Sequence, residues 1–309
     1  MRSALLPAAL FAALAFPVQA AETDPAEKAA FIAEATAEYG LTEAEISAWL
    51  AKATYRQSIV DAMSRPAERV KTWTEARVAG GQRFLAEHRV ALQAVEDATG
   101  VPKQYIVAIL GVETAYGRIT GSFPVLDALY TLSFHYPSLG NPEREARRGA
   151  FFRSELAQSL LLAREEGIDI PARKGSYAGA MGWAQFMPSS YRAYAKDGDG
   201  DGRRDLFHSL PDVFASIANY FVAHGWVPSA PVVMRAQAEP GAVAPAPGFE
   251  PVHGLAELAQ RGFRPQKALG HDAKATLLVL EGAEGTEHWL GFQNFYVITR
   301  YNRSSIYPL

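Results

Sequence analysis

The stretch that decides the fold is PKQYIVAILGVETAYG, residues 102–117. Pro102 suits the first turn of a helix, where its missing N–H costs little, and Gly117 suits a helix end. Between them, four residues at spacings of three and four predict one face of a helix. They are Ile106, Ile109, Leu110 and Glu113. The glutamate thus continues an apolar face, one turn before the predicted end of the helix.

A carboxyl group in that position is suited to proton transfer. Desolvation on an apolar face disfavours the charged form, so we expect the pKa of Glu113 to be raised toward the range in which it donates a proton near neutral pH. The alternative is a glutamate at the rim of the protein, paired with Arg118 or another base. The motifs of other chemistries, including the serine elbow, the HExxH zinc helix and the phosphate loop, are missing from the chain.

A second catalytic carboxylate is not evident. Ordinary glycosidases place it about 5 Å from the first for retention, or about 6.5 to 9.5 Å away for inversion. Asp127 is the nearest acidic residue after Glu113, and it falls beyond Pro124 in what reads as a different element. This gap is compatible with substrate assistance, in which the acetamido group of the substrate does the work of a nucleophile.

Composition excludes several classes of protein. The 309 residues include 30 basic and 33 acidic side chains, with a net charge of −3 and no basic run, which argues against nucleic acid as a partner. The chain has no cysteine, which excludes disulfides, thiol nucleophiles and thiolate metal sites.

The first 20 residues have the pattern of a secretory signal peptide: Arg2, an apolar run from Ala4 to Phe16, and a small residue at Ala20. An uncleaved membrane anchor is the alternative. The run is shorter than the ~20 apolar residues of a spanning helix, so we expect an exported protein without a stable membrane anchor.

The remaining pattern predicts an α+β protein that is mainly α. Helices are predicted in four further stretches, at residues 25–53, 84–98, 142–167 and 212–224. Thr42 and Glu45 form a capping box that marks a helix start. The glycine-rich residues 175–188 predict a loop that leads into another helix. Beyond Gly225 the chain becomes rich in proline and alanine, and strands are predicted at residues 232–234, 275–280 and 295–299.

An acidic loop, DGDGDGRRD at residues 197–205, has the spacing of an EF-hand. Its first, third, fifth and ninth positions carry carboxylates: Asp197, Asp199, Asp201 and Asp205. Gly202 stands at the sharp sixth position and the carbonyl of Arg203 at the seventh. The twelfth position is His208 instead of glutamate, so Asp212 is the expected closing ligand. We predict a structural Ca²⁺ site, with Na⁺ as the alternative ion and a metal-free acidic turn as the alternative reading.

Three blocks carry a family resemblance: GVETAYGR at 111–118, GSYAGAMGWAQFMPSSY at 175–191 and RYNRSSIY at 300–307. They resemble the signature blocks of the membrane-bound lytic transglycosylase B family, over a region from about residue 25 to the end. The resemblance implies four parts: a helical region at 21–80, a lysozyme-like core at 81–225, a small β-containing subdomain at 226–290, and a segment at 291–309 that returns to the core. The chain departs from the anchored family type in lacking a lipid-bearing cysteine.

The resemblance also implies the chemistry and its residues. Glu113 would protonate the glycosidic oxygen between N-acetylmuramic acid and N-acetylglucosamine and then act as base, giving a 1,6-anhydro product with no cofactor. Nine residues would contact the substrate: Ser176 and Gln185 beside the acetamido group, Tyr301, Asn302 and Tyr307 at the catalytic floor, Arg147 and Arg148 toward a carboxylate, and Phe186 and Tyr220 facing sugar. Each has a structural alternative: the side chain could bond to loop backbone, lie in solvent or pack in the core.

The implied setting is the periplasm of a Gram-negative bacterium, with peptidoglycan glycan strands as the partner and a monomer as the expected state. Three other functions stay open from sequence. A goose-lysozyme-like hydrolase would use the same glutamate but admit water. A silent peptidoglycan-binding protein would have little need to keep the site residues. A calcium-binding regulator would need a second EF-hand, which the sequence does not show.

Overall fold

The computed structural model describes residues 22–65, 74–269, 273–304 and 307–308. The predicted signal peptide, residues 1–20, lies outside the described residues. Within these ranges, no helix combines the length and the apolar character needed to cross a membrane.

The described residues of the N-terminal region form four helices: α1 (Pro25–Tyr39), α2 (Glu43–Leu50), α3 (Gln57–Ser64) and α4 (Glu75–Glu87). The helical pattern predicted over residues 25–53 is divided because Gly40 takes a left-handed conformation and ends α1. The predicted capping box starts α2. The Thr42 hydroxyl accepts from the Glu45 backbone N–H, and the Glu45 carboxylate accepts from the Thr42 N–H.

The middle of the chain, residues 89–223, forms six helices: α5 (Arg89–Thr99), α6 (Lys103–Thr114), α7 (Val125–Phe134), α8 (Pro142–Glu166), α9 (Pro188–Tyr194) and α10 (Leu210–Ala223). The predicted apolar face of α6 is confirmed, because Ile106, Ile109 and Leu110 are all buried. Each such side chain contributes about 1.5–3 kcal/mol through burial. α6 packs against α4, α5 and α10, which places it in the centre of the core.

α6 ends earlier than its sequence predicts. Its last residue is Thr114, and Ala115, Tyr116 and Gly117 all have positive φ angles. Left-handed backbone costs a residue other than glycine about 1–2 kcal/mol. A tertiary contact offsets this cost: the Tyr116 hydroxyl donates to the Arg77 carbonyl on α4, 2.9 Å away. The early end leaves Glu113 as the second-last residue of the helix.

The predicted loop at 175–188 is folded on itself. Strand β1 (Phe123–Pro124) pairs antiparallel with β2 (Lys174–Gly175), directly after a 3-10 turn (Ile170–Ala172). Two isolated bridges then join Gly175 to Met181 and Met181 to Phe186. This short, irregular sheet lies next to the end of α6 and holds the second signature block against it.

The C-terminal third contains a five-stranded antiparallel sheet. Its strands are β3 (Val233–Ala238), β4 (His253–Gly254), β5 (Phe263–Pro265), β6 (Lys274–Gly282) and β7 (Gly285–Gly291), in the order β4-β6-β7-β3-β5, with helix α11 (Leu255–Gln260) beside them. Leu258, Phe263 and Leu290 belong to a separate small core. The predicted strands at 232–234 and 275–280 correspond to β3 and β6, and the α+β, mainly α class is confirmed.

The strand predicted at residues 295–299 is wrong. These residues lie in helix α12 (Gln293–Tyr301), despite their β-branched content. Strand propensity is a weak preference that packing overrides. Phe295 and Ile298, three residues apart, are both buried in the main core. The Asn294 side chain fixes the start of the helix by accepting from the Val227 N–H and donating to its carbonyl, each at 2.8 Å.

Candidate active site

Glu113 lies where the end of α6 meets the C-terminal segment. Its side chain is partly exposed, and its Oε1 accepts a hydrogen bond of 2.7 Å from the Tyr307 hydroxyl. The two residues are 194 positions apart in the chain. The rim alternative is not what the structure shows, because Arg118 donates its Nε to the Ala115 carbonyl at 3.0 Å and forms no ion pair with Glu113.

Burial raises the pKa of Glu113, and the hydrogen bond from Tyr307 lowers it by a smaller amount. Desolvation penalises the carboxylate, whereas the phenol donates to the charged form and favours it. The net upward direction agrees with the sequence argument from the apolar helical face. A carboxyl group held in this way can carry its proton at a pH at which an exposed glutamate has lost it.

The other buried carboxylates serve structural contacts. Asp127 accepts from the Thr54 N–H at 2.9 Å and from Arg56 Nε at 2.5 Å, which ties α7 to the N-terminal helices. Glu155 on α8 accepts from both the backbone N–H and the hydroxyl of Ser189 at the start of α9. Among the described residues, burial and the Tyr307 hydroxyl are the influences that shift the pKa of Glu113. No other carboxylate of the described residues is among those influences.

An aromatic wall surrounds this carboxyl group. Tyr301 donates to the Ala184 carbonyl at 2.6 Å, and its ring centroid lies 4.9 Å from that of Tyr220 and 5.8 Å from that of Phe186. Burial and then the charge of Glu113 raise the pKa of Tyr301 well above its ordinary value. Burial raises the pKa of Tyr220 to about 12. These phenols stay protonated near neutral pH and act as hydrogen-bond donors.

The polar residues of the second block bond to their own loop. Ser176 Oγ accepts from the Ala178 and Ala180 N–H groups, at 3.2 and 3.1 Å. Gln185 has a φ of 50° and donates its amide to the Thr120 carbonyl at 3.0 Å. These contacts fit the alternative in which both side chains satisfy backbone groups of nearby loops. A role toward substrate stays a prediction.

Of the three other predicted polar contacts, Asn302 and Arg147 are exposed and Arg148 is partly buried. Asn302 is exposed at the end of α12, where its carbonyl accepts from the Ser304 N–H. Arg147 is exposed and pairs with Glu143 at 2.5 Å. The Arg148 guanidinium lies 4.9 Å from the centroid of the Phe152 ring. The structure shows no direct contact of these side chains with Glu113.

Sequence reasoning missed two residues that join the blocks. Thr114 Oγ1 accepts from the Gly117 N–H and lies 3.3 Å from the Trp183 carbonyl, to which it donates. Trp183 in turn donates its backbone N–H to Leu206 and its indole N–H to Phe207, at 2.9 and 3.2 Å. Both residues stand inside the signature blocks, but no local pattern shows which partner each one meets.

The acidic loop brings three carboxylates together. Oxygens of Asp197, Asp199 and Asp212 lie within 4.8 Å of one another, with Asp212 buried and the other two exposed. Asp212 also accepts from the backbone N–H groups of Gly198 and Asp205. Asp201 instead accepts from the Arg203 N–H, at 2.8 Å. Clustered carboxylate oxygens repel one another and are the ligands that a hard cation prefers, so these residues fit Ca²⁺.

Known proteins match nearly the whole chain. Membrane-bound lytic murein transglycosylase B of Escherichia coli (strain K12) is 43% identical over 242 residues, which are 78% of this chain and 63% of that protein. The match thus spans less than two thirds of that relative's length.

Two solved structures show the same fold. The catenated lytic transglycosylase SltB1 from Pseudomonas aeruginosa is 45% identical with a TM-score of 0.83, over 92% of this chain and 94% of its own. The Escherichia coli lytic transglycosylase SLT35 in complex with calcium is 38% identical with a TM-score of 0.79, over 91% and 89%. They confirm the predicted lysozyme-like fold. The transglycosylase SLT domain matches residues 23–309, and the chain belongs to this family.

Proposed function

We propose that this protein is a lytic murein transglycosylase that cleaves the β-1,4 bond between N-acetylmuramic acid and N-acetylglucosamine in peptidoglycan glycan strands without adding water. One observation carries the proposal. Glu113 is a carboxyl group whose pKa burial raises and whose hydrogen-bond partner is the Tyr307 phenol, and among the described residues no second carboxylate contributes to that shift. The family of the chain and its relatives supply the substrate class.

The first step transfers the Glu113 proton to the glycosidic oxygen. The bond from that oxygen to the anomeric carbon of the muramoyl residue breaks, and the acetamido oxygen of the same sugar bonds to that carbon. The proton leaves with the N-acetylglucosamine hydroxyl. Glu113 is now a carboxylate that is largely shielded from water. The Tyr307 hydroxyl stabilises this charge by donating a hydrogen bond.

The second step returns the proton. The Glu113 carboxylate takes it from the muramoyl 6-hydroxyl, whose oxygen attacks the anomeric carbon and displaces the acetamido oxygen. The product is a 1,6-anhydro ring, and Glu113 is protonated again, so the cycle needs neither water nor a cofactor. Ser176 and Gln185 are proposed to orient the acetamido group, and the aromatic wall is proposed to contact the sugars. Arg147 and Arg148 keep their proposed role toward a substrate carboxylate.

Product analysis separates this proposal from its alternatives. Purified sacculi are digested with the protein, and the released muropeptides are identified by mass spectrometry. We expect ends of 1,6-anhydromuramic acid. Reducing ends would instead show a goose-lysozyme-like hydrolase, and failure to release fragments would show a binding protein.

The pH dependence should move when the phenol is removed. In Tyr307→Phe the Glu113 carboxylate loses the donor that lowers its pKa, so the pKa rises further. Because the first step needs the protonated acid, we expect the alkaline limb of the pH–rate profile to move to higher pH. Initial rates on solubilised glycan strands measure the shift. Tyr105→Phe, which removes a phenol from the opposite end of α6, is the control and should leave the limb in place.

Calcium should stabilise the fold at the acidic loop. We propose that Asp197, Asp199 and Asp212, with Asp201 and the Arg203 carbonyl, hold one structural Ca²⁺. Ca²⁺ that binds the folded state alone raises the melting temperature with its concentration. We expect this rise in the wild type and its loss in Asp199→Asn, measured by differential scanning calorimetry. Asp97→Asn, at an exposed aspartate on α5, should keep the rise. An equal response in both variants would place the ion elsewhere.

A further inference from the structure

Away from Glu113, a cleft opens on the side of α12 that faces the sheet. It has a volume of about 660 Å³ and lies between residues 246–253, Thr276 of β6 and the helix. Four α12 or adjoining residues line it: Tyr296, Thr299, Arg300 and Arg303. The spacing of Tyr296, Thr299 and Arg300 puts them on one face of α12, and Arg303 follows two residues beyond the end of the helix, whereas Phe295 and Ile298 pack into the core.

The lining of the cleft has two guanidinium groups and one carboxylate, so positive charge is in excess. Arg300 and Arg303 are both exposed, and within the described residues neither guanidinium forms an ion pair. The Arg300 guanidinium lies 5.8 Å from the centroid of the Tyr296 ring, which orients it. The Glu250 carboxylate, also in the lining, accepts a hydrogen bond of 3.1 Å from the Tyr296 hydroxyl. His253 faces Glu257, with Nδ1 2.9 Å from the carboxylate.

This cleft is joined to the active site through α12 itself. Arg300 precedes Tyr301, whose hydroxyl contacts the Ala184 carbonyl and whose pKa the charge of Glu113 helps to raise. The Arg300 carbonyl also accepts from Tyr220 in the aromatic wall, at 2.7 Å. A helix C-terminus by itself favours a nearby cation. It does not account for two guanidinium groups that share one open cleft with an aromatic ring.

We propose that this cleft binds the free carboxylates of the peptide stem carried by the muramoyl residue. The proposal rests on the proposed function, which brings a muramoyl residue to Glu113. Guanidinium groups match carboxylates in geometry and charge. A peptide of five residues can extend about 17 Å, several times the rise of a helical turn, and so has the reach to follow α12 from the site. The stem leaves the glycan, passes Tyr301 and ends on Arg300 and Arg303.

Binding to an inactive protein tests the cleft without catalysis. Glu113→Gln protein is titrated by calorimetry with a tetrasaccharide that carries stem peptides and with the same tetrasaccharide stripped of peptide. Adding Arg300→Gln and Arg303→Gln should raise the dissociation constant for the peptide-bearing ligand about five- to tenfold, since exposed charge contacts are individually weak. The stripped ligand should bind equally to both proteins.

Two controls separate a local contact from net charge. Arg261→Gln with Arg264→Gln also removes two exposed arginines three residues apart, and it should leave both affinities unchanged. Amidating the stem carboxylates should weaken binding to the intact cleft and have no further effect on the double variant. Equal weakening with stripped and peptide-bearing ligands, or no weakening with either, would overturn the proposal.

The activity is scored separately. Wild-type protein that yields no anhydro ends, while the peptide-dependent difference in affinity persists, would overturn the proposed activity and leave the cleft in place. The reverse pattern would overturn the cleft alone.

Discussion

Replacing Glu113 by glutamine should lower turnover on peptidoglycan by about 10³- to 10⁴-fold, because the same group supplies the proton in the first step and removes one in the second. The amide keeps the shape of the side chain and can still accept from Tyr307. Release of anhydro ends from sacculi measures the loss. The matched control is Glu155→Gln, which changes a buried glutamate whose pKa burial also raises but which bonds to Ser189. A comparable loss of activity in the control would contradict the role of Glu113 as the acid/base.

The thermal stability of the same variant should also show how much the desolvated charge of Glu113 destabilises the folded protein. Because the folded protein raises the pKa of Glu113, the protonated form is favoured on folding. Its stabilising contribution is complete below the pKa of the unfolded state and is lost as the pH rises through the higher pKa of the folded state. We therefore expect Glu113→Gln to melt at a higher temperature than wild type near neutral pH. The difference should vanish in acid, where Glu113 is also neutral. A variant that melts lower at every pH would contradict this.

Gly121→Ala should destabilise the protein by about 3 kcal/mol or more. Gly121 has a φ of 101°, and a Cβ there would lie well under 3.0 Å from the carbonyl oxygen of Gly175. Left-handed strain costs about 1–2 kcal/mol, and overpacking against backbone adds about 1–3 kcal/mol. The clash falls where the second block meets the chain that leaves α6. Activity should therefore fall with stability, because relief of the clash shifts the block that carries Ser176 and Gln185.

Gly140→Ala is the matched control for this prediction. Gly140 has a φ of 85°, and its Cβ would meet no atom within 4 Å. It isolates the backbone strain, which should cost about 1 kcal/mol and leave activity unchanged. Urea unfolding gives both free energies. Equal values for the two variants would show that the contact between Gly121 and Gly175 does not constrain the site.

Much of the site could be predicted because it depends on local order. The α6 face follows from residues three and four apart, so the helix and the desolvated position of Glu113 are both properties of one short segment. The capping box of α2 is similarly local, since Thr42 and Glu45 satisfy each other's backbone. In the acidic loop the structure brings together Asp197, Asp199 and Asp212 of the predicted ligands, whereas Asp201 bonds to the backbone of its own loop. The other site residues were predicted from the blocks that resemble a known family.

The sequence by itself therefore determined the class of fold and the family, and it predicted Glu113 as the acid. Tertiary structure alone decided three other features. Residues 295–299 form a helix because Phe295 and Ile298 pack into the core, which outweighs their preference for a strand. α6 ends at Thr114 because Tyr116 bonds to α4. Tyr307 meets Glu113 across 194 residues. Each depends on partners distant in the chain, and the free energy of such contacts exceeds the small local preferences that a sequence pattern records.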